Sequence, residues 1–161
     1  MSLKVLLDTD FLSAFLKIER LSLVKDFYQV EVLLIPAAVY NELSVTSLGE
    51  SLAKLPWIQM EAPPSGWDLT SSSDTTLFGD GELQAIALAR QCDQALILSN
   101  DSAALRLARR LGLKALDVPE FLLSCKTLGF LDRPELQKLI RDLQDKDRYG
   151  FRQEVLDRLL S

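Results

Sequence analysis

The chain has 161 residues, 48% hydrophobic and 25% charged, a mixture that excludes a disordered polyelectrolyte and leads us to expect one compact domain over residues 1–161. Eighteen Lys and Arg against twenty-three Asp and Glu give a formal charge of −5, which argues against a broad nucleic-acid-coating surface, although carboxylates that recruit divalent cations can still bring phosphate to an acidic protein. No histidine is present, so these residues carry no Ser-His-Asp triad, no His-Glu-x-x-His zinc site and no zinc deaminase centre.

The longest apolar run, Val32 to Tyr40, falls far short of the roughly 18 residues that would suggest a membrane span. Asp8 and Asp10 interrupt what would otherwise pass for a signal-peptide core, and only Lys4 supplies early positive charge. The expectation is a cytoplasmic protein with no membrane partner. Cys92 and Cys125 stand alone, without Cys-x-x-Cys spacing, and read as buried free thiols.

In chain order, Leu3 to Leu7 is short and apolar and reads as a first strand ending at Asp8. Helices follow over Phe11 to Lys17 and Leu21 to Tyr28, and Glu31 to Ile35 reads as a second strand. Pro36 suits the first position of the next helix, where a missing amide proton leaves no bond unmade; that helix carries Val39, Tyr40, Glu42 and Leu43. A short helix over Leu48 to Leu55 precedes a third strand, Trp57 to Met60. Ala62 to Thr76, rich in Pro, Gly, Ser, Thr and Asp, is the one extended loop. It lies within the domain, because the preceding segment of about 60 residues would make a poor independent core.

Gly81 to Gln91 forms an apolar helix with Asp80 as its expected cap, followed by a fourth strand, Ala95 to Leu98. Ser102 to Leu111 is a helix that Gly112 stops, and Lys114 to Asp117 is a fifth, short strand. A helical tail begins at about residue 119. It comprises Pro119 to Cys125, a segment opened by the reciprocal cap Asp132-x-x-Glu135 and ending near Asp145, and a last helix over Phe151 to Leu160. Strand and helix signals that alternate with short loops imply an α/β fold, a parallel sheet of about five strands covered on both faces.

Asp8 and Asp101 each follow a strand, where open parallel sheets form their ligand crevices. Glu42 and Glu82 stand near helix starts, where exposed amides partly offset negative charge. Each acid alone reads equally well as a turn residue, a helix cap or a solvated side chain. Brought together, the four would repel one another, and Mg²⁺ or Mn²⁺, which prefer oxygen ligands, would relieve that repulsion.

Four ordered segments carry a family resemblance. They are Leu6-Leu7-Asp8-Thr9-Asp10; Pro36 to Leu43 with Asn41-Glu42; Gly81-Glu82-Leu83-Gln84 and the helix after it; and Leu98-Ser99-Asn100-Asp101 followed by Ala108-Arg109-Arg110-Leu111-Gly112. Together they resemble the motifs of PIN-domain nucleases, closest to the solitary, toxin-like (VapC-like) subgroup, over about Leu3 to Asp117. The resemblance implies a three-layer α/β/α fold with a central, mainly parallel sheet and hydrolysis of RNA phosphodiester bonds. It also implies a Mg²⁺ or Mn²⁺ centre held by Asp8, Glu42, Glu82 and Asp101, with Asp10 orienting a water or Asp8. An antitoxin protein and a homodimer are the candidate partners beside RNA. Asn100 replaces a frequent extra Asp, and Gln84 a Glu common in the closest subgroup. Arg106, Arg109, Arg110, Lys17 and Arg20 are candidates to flank an RNA groove, and Phe11, Trp57, Trp67 and Tyr149 are candidate stacking groups.

Two other functions compete. One is a non-catalytic PIN-like module that binds RNA or protein without cutting. The other starts from Asp8-Thr9-Asp10, which also resembles the first motif of haloacid-dehalogenase-type phosphatases, with Asp8 as nucleophile and Asp10 as acid or base. Such a phosphatase needs a lysine before a later acidic pair, whereas Lys114 follows Asp101 and Asn100-Asp101 supplies one carboxylate.

Overall fold

A computed structural model describes residues 2–64 and 80–161. Five parallel strands form its sheet: β1 (Lys4–Leu7), β2 (Leu33–Pro36), β3 (Ile58–Glu61), β4 (Ala95–Leu98) and β5 (Lys114–Leu116), in the spatial order β3-β2-β1-β4-β5. Their side chains alternate between two faces. Val5, Leu7, Leu33, Ile35, Leu96 and Leu98 join one buried cluster, while Leu6, Leu34, Ile97 and Ala115 join the other. Both faces of the central strands are therefore apolar, as a parallel sheet sandwiched between helices requires.

The first face is covered by α1 (Thr9–Lys17), α2 (Leu21–Tyr28), α7 (Val118–Thr127), α8 (Arg133–Lys146) and α9 (Gln153–Leu159). The second is covered by α5 (Asp80–Arg90) and α6 (Ser102–Arg110). Between them, α3 (Ala37–Ser44) packs on α5 while Val39 and Leu43 reach the first core, and α4 (Gly49–Ala53) adds Leu52. The result is the expected three-layer α/β/α arrangement. No helix among the described residues is long and apolar enough to cross a membrane.

Several boundaries differ from the sequence expectation for local reasons. Asp8 belongs to the start of α1, which begins two residues early because the Asp8 carboxylate accepts from the Phe11 amide at 3.0 Å. Pro36 is the last residue of β2 and the N-cap of α3, in extended backbone, rather than its first helical residue. Asp80 lies inside the first turn of α5 and is not its cap. The expected loop over 62–76 falls, from residue 65 on and including Trp67, outside the described residues.

Two reciprocal caps close the tail. Asp132 and Glu135 open α8 as expected, and Asp117 and Glu120 do the same for α7, a second Asp-x-x-Glu that the same rule would have found. Gly112 takes φ +79°, the left-handed backbone that ends α6. Of the two free thiols, Cys125 is buried and Cys92 only half-buried.

Candidate functional site

The strand order reverses between β1 and β4, and the crevice beyond the carboxyl ends of such a pair is where open parallel sheets bind ligands. Because Leu7 pairs with Leu98 in register, the next residues, Asp8 and Ser99, leave the sheet side by side. The Asp8 amide donates to the Leu98 carbonyl at 3.1 Å. One Asp8 oxygen caps α1; the other accepts a short hydrogen bond from the Ser99 hydroxyl. The same hydroxyl oxygen accepts from the Asp101 amide at 3.1 Å. Asp101 in turn caps α6 through one oxygen, accepting from Ala104 at 2.9 Å. Capping and site membership thus coincide at Asp8 and Asp101, since the amides that open a helix also hold the carboxylate still.

Glu42 is the sixth residue of α3, beyond the reach of that helix's free amides, so the expected compensation there does not apply. Its carboxylate accepts instead from the Thr9 hydroxyl at 2.8 Å, which ties α3 to the start of α1. Glu82 stands in the first turn of α5. Gly81 before it faces the Val39 side chain so closely that a Cβ would come within 3.0 Å of it, and the bare backbone lets α5 settle on α3. Gln84 accepts from the Ala38 amide at 3.0 Å, satisfying a free amide of α3. Asn41, Glu42, Asp80 and Gln84 line a cleft of about 410 Å³ between the two helices.

Electrostatics ties these carboxyls to one another. Burial pushes Asp8 up to about 7, against the pull of the Ser99 and Phe11 hydrogen bonds, and the charges of Glu82 and Asp10 push in the same direction as burial. Asp10 is raised first by burial, then by Glu42, Asp101 and Asp147, with Lys17 offsetting part of the effect. Glu82 is raised by burial and then by Asp101, Asp10 and Glu42. Asp8, Asp10, Glu42, Glu82 and Asp101 therefore share one field. Among the described residues, however, no three His, Cys, Asp or Glu side chains close into a metal cage. The two observations fit together, because charges repel over longer distances than those over which they coordinate a common ion. An all-oxygen donor set of mutually repelling acids suits a hard divalent cation.

The cationic candidates fare differently. Arg109 donates to both oxygens of Glu120, at 2.9 and 3.0 Å, and to the Ala115 carbonyl, so it fastens α6 to α7 and is not available for an RNA groove. Lys17 is paired with Asp147 at 2.9 Å. Phe11 is fully buried, which removes it as a stacking group, while Trp57 is half-buried and packs one side against the core. Asn100 accepts from the Val118 amide at 3.1 Å and the Tyr149 hydroxyl at 3.3 Å, a neutral acceptor where a further carboxylate would have added repulsion. Lys114 opens β5 at the opposite end of the sheet from Asp8, so Lys114 cannot serve the phosphatase reading.

Sequence reasoning missed Ser99 and Thr9, the two hydroxyls that hold Asp8 and Glu42. Both lie within the quoted motifs, Ser99 two residues before Asp101 and Thr9 one after Asp8; their partners are 91 and 33 positions away, respectively.

No curated protein and no solved structure matches the chain. The PIN-domain family DUF3368 matches residues 4–161, nearly the whole length and including the helical tail. With the sheet order and the acidic crevice, that match means that the chain belongs to the PIN-domain family.

Proposed function

We propose that this protein is an endoribonuclease of the toxin-like PIN type, dependent on Mg²⁺ or Mn²⁺, in which Asp8, Glu42, Glu82 and Asp101 hold the metal. The observation that carries the reading is the shared field of these carboxyls at the point where the strand order reverses, with Asp8 buried and raised to about 7. A bound divalent cation would offset this repulsion and favour the ionised form of the set. The bound ion would lower the pKa of water and neutralise charge on the phosphate. Within the chain, Ser99 fixes Asp8 against Asp101, Thr9 fixes Glu42, and Asp10 orients the attacking water or Asp8. The water oxygen would bond to phosphorus and release a proton to solvent as the bond to the leaving ribose oxygen breaks, and that oxygen would take up a proton from solvent.

RNA is the substrate in this reading, with an antitoxin and a second copy of the chain as partners, in the cytoplasm. A net charge of −5 opposes indiscriminate polyanion binding, so activity on generic RNA should be low, with single-stranded or looped segments preferred. The test is to incubate a structured cellular RNA pool with the protein, with Mn²⁺ or chelator, and to map new ends. Reproducible internal ends that need the metal are the expected result. Complete absence of cleavage with either metal, despite RNA and metal binding, would move the assignment to a non-catalytic binding module.

A second expectation concerns Ser99. Ser99→Ala removes a donor to Asp8 and an acceptor for the Asp101 amide, and Mn²⁺ affinity should fall by about 10- to 100-fold, as is usual for residues that orient metal ligands. Calorimetric titration measures this, with Ser124→Ala, whose hydroxyl bonds only its own helix, as the control. Equal affinity in the two variants would remove Ser99 from the site.

A further inference from the structure

The strand order sets the carboxyl ends of β1, β4 and β5 in a row, so the chain leaves the sheet successively at Asp8, Ser99 and Asp117. Beside Asp117, between α7 and α9, lies a cleft of about 330 Å³. Leu123, Val155 and Leu159 give it an apolar lining, and Tyr149, Arg152 and Arg158 complete it. Tyr149 links the cleft to the acids, because its hydroxyl donates to Asn100, the residue directly before Asp101.

The charges in this cleft are unequal in what they leave over. Asp117 is engaged with the Glu120 amide at 2.8 Å, and Glu120 with Arg109 and the Asp117 amide. Arg152 and Arg158 are exposed and have no carboxylate within ion-pair distance among the described residues. The cleft thus holds two guanidinium groups without ion pairs among the described residues beside an apolar lining, together with the Asp117 and Glu120 carboxylates, which are held by the α7 cap and by Arg109. A nucleotide matches that chemistry, since its phosphate suits guanidinium and its base has apolar faces.

We propose that the α7/α9 cleft is a nucleotide subsite, holding a residue of single-stranded RNA next to the phosphate that lies over the acids. The proposal rests on the ribonuclease reading for the identity of its ligand. An acidic peptide would also satisfy the two arginines; RNA is favoured because Tyr149 of the cleft bonds Asn100, the residue directly before Asp101, so the cleft adjoins the acids.

The test measures binding apart from cleavage. In an Asp8→Asn background with Mg²⁺, a fluorescent seven-nucleotide single-stranded RNA is titrated against protein with and without R152A/R158A. A R133A/K138A protein, which loses the same charge from exposed positions on α8, is the control. The cleft variant should bind about tenfold more weakly, and its salt slope should fall by about 1.4, the value for two phosphate contacts on a single strand. The control should do neither. Photo-cross-linking of 4-thiouridine strands to the protein with both arginines intact should label peptides containing Leu123 or Tyr149 to Val155, a readout that does not depend on how the variant folds.

Equal RNA affinity in the cleft and control variants, or cross-links confined to other peptides, overturns the proposal. So does retained RNA binding by the cleft variant together with loss of binding to a Glu-rich peptide. If R152A/R158A weakens RNA binding and the cross-links fall in the cleft, yet the wild-type protein never cleaves, the subsite stands and the hydrolytic reading falls. Unchanged binding with normal cleavage is the reverse case.

Discussion

Asp8→Asn should abolish metal-dependent RNA cleavage while making the metal-free protein more stable at neutral pH. The loss of activity should exceed about 100-fold, because residues that merely orient ligands are already worth about 10- to 100-fold. The gain in stability follows from the position of Asp8. It is buried, and burial with neighbouring Glu82 and Asp10 raises its pKa from 3.8 to about 7. A carboxyl that binds its proton more tightly when folded favours folding at low pH. That advantage is complete below about pH 4 and is lost as pH rises through about 7.

The difference of about three units corresponds to up to about 4 kcal/mol. Asn keeps the helix cap, since it serves at that position as well as Asp, and carries no charge to bury. Thermal unfolding of both proteins in chelator, at pH 4.5 and pH 8, measures the effect. The two should be similar at the lower pH, and Asp8→Asn should be the more stable at the higher. Wild-type protein that gains stability on Asp8 ionisation, relative to the variant, would contradict the buried, repelled carboxyl. Cleavage by the variant at the wild-type rate would remove Asp8 from the catalytic set, whatever its effect on stability.

The second large effect is expected far from the acids. Phe121 on α7 is fully buried and packs against the rings of Phe11, Phe15, Phe27 and Tyr28, with centroids 5.6 to 6.0 Å apart. Three of these contacts are edge-to-face, the arrangement that ring quadrupoles favour. Phe121→Ala should cost about 3–5 kcal/mol through lost burial and the cavity left behind. For a chain of this length that lowers the melting temperature by roughly 6–20 °C.

Phe130 supplies the comparison. It meets Phe27 edge-to-face but is 40% exposed, so Phe130→Ala should cost well under half as much. Denaturant unfolding of both variants decides the point, and equal losses would mean that the helical tail is not anchored through Phe121. The anchor matters for the site, because α7 follows directly from Asp117 and carries Glu120, the partner of Arg109.

Much of this architecture was legible in the residues. The apolar alternation of Val5-Leu6-Leu7 and Leu96-Ile97-Leu98 predicts strands buried on both faces, and both are found there. Gly112 stops α6 and Asp132 with Glu135 opens α8, because helix ends have local chemical requirements that a few neighbouring residues meet. The order of the four motifs was enough to identify the PIN family. Local pattern reached less far at Pro36 and Asp80, where one residue serves the end of one element and the start of another, or lies a single position inside its helix.

Only the tertiary structure decided which groups meet. Nothing in Leu98-Ser99 states that β4 lies beside β1, yet that pairing lets Ser99 hold Asp8 across 91 positions. The same is true of Thr9 with Glu42, and of Lys17 with Asp147, 130 positions apart. Arg109 reads from the sequence as a surface cation for RNA, whereas in the fold Glu120 and the Ala115 carbonyl engage it. The physical reason is that helix caps and strand alternation depend on neighbours in the chain. A carboxylate's partners depend on strand order, which the whole core selects by burying both faces of the sheet at once.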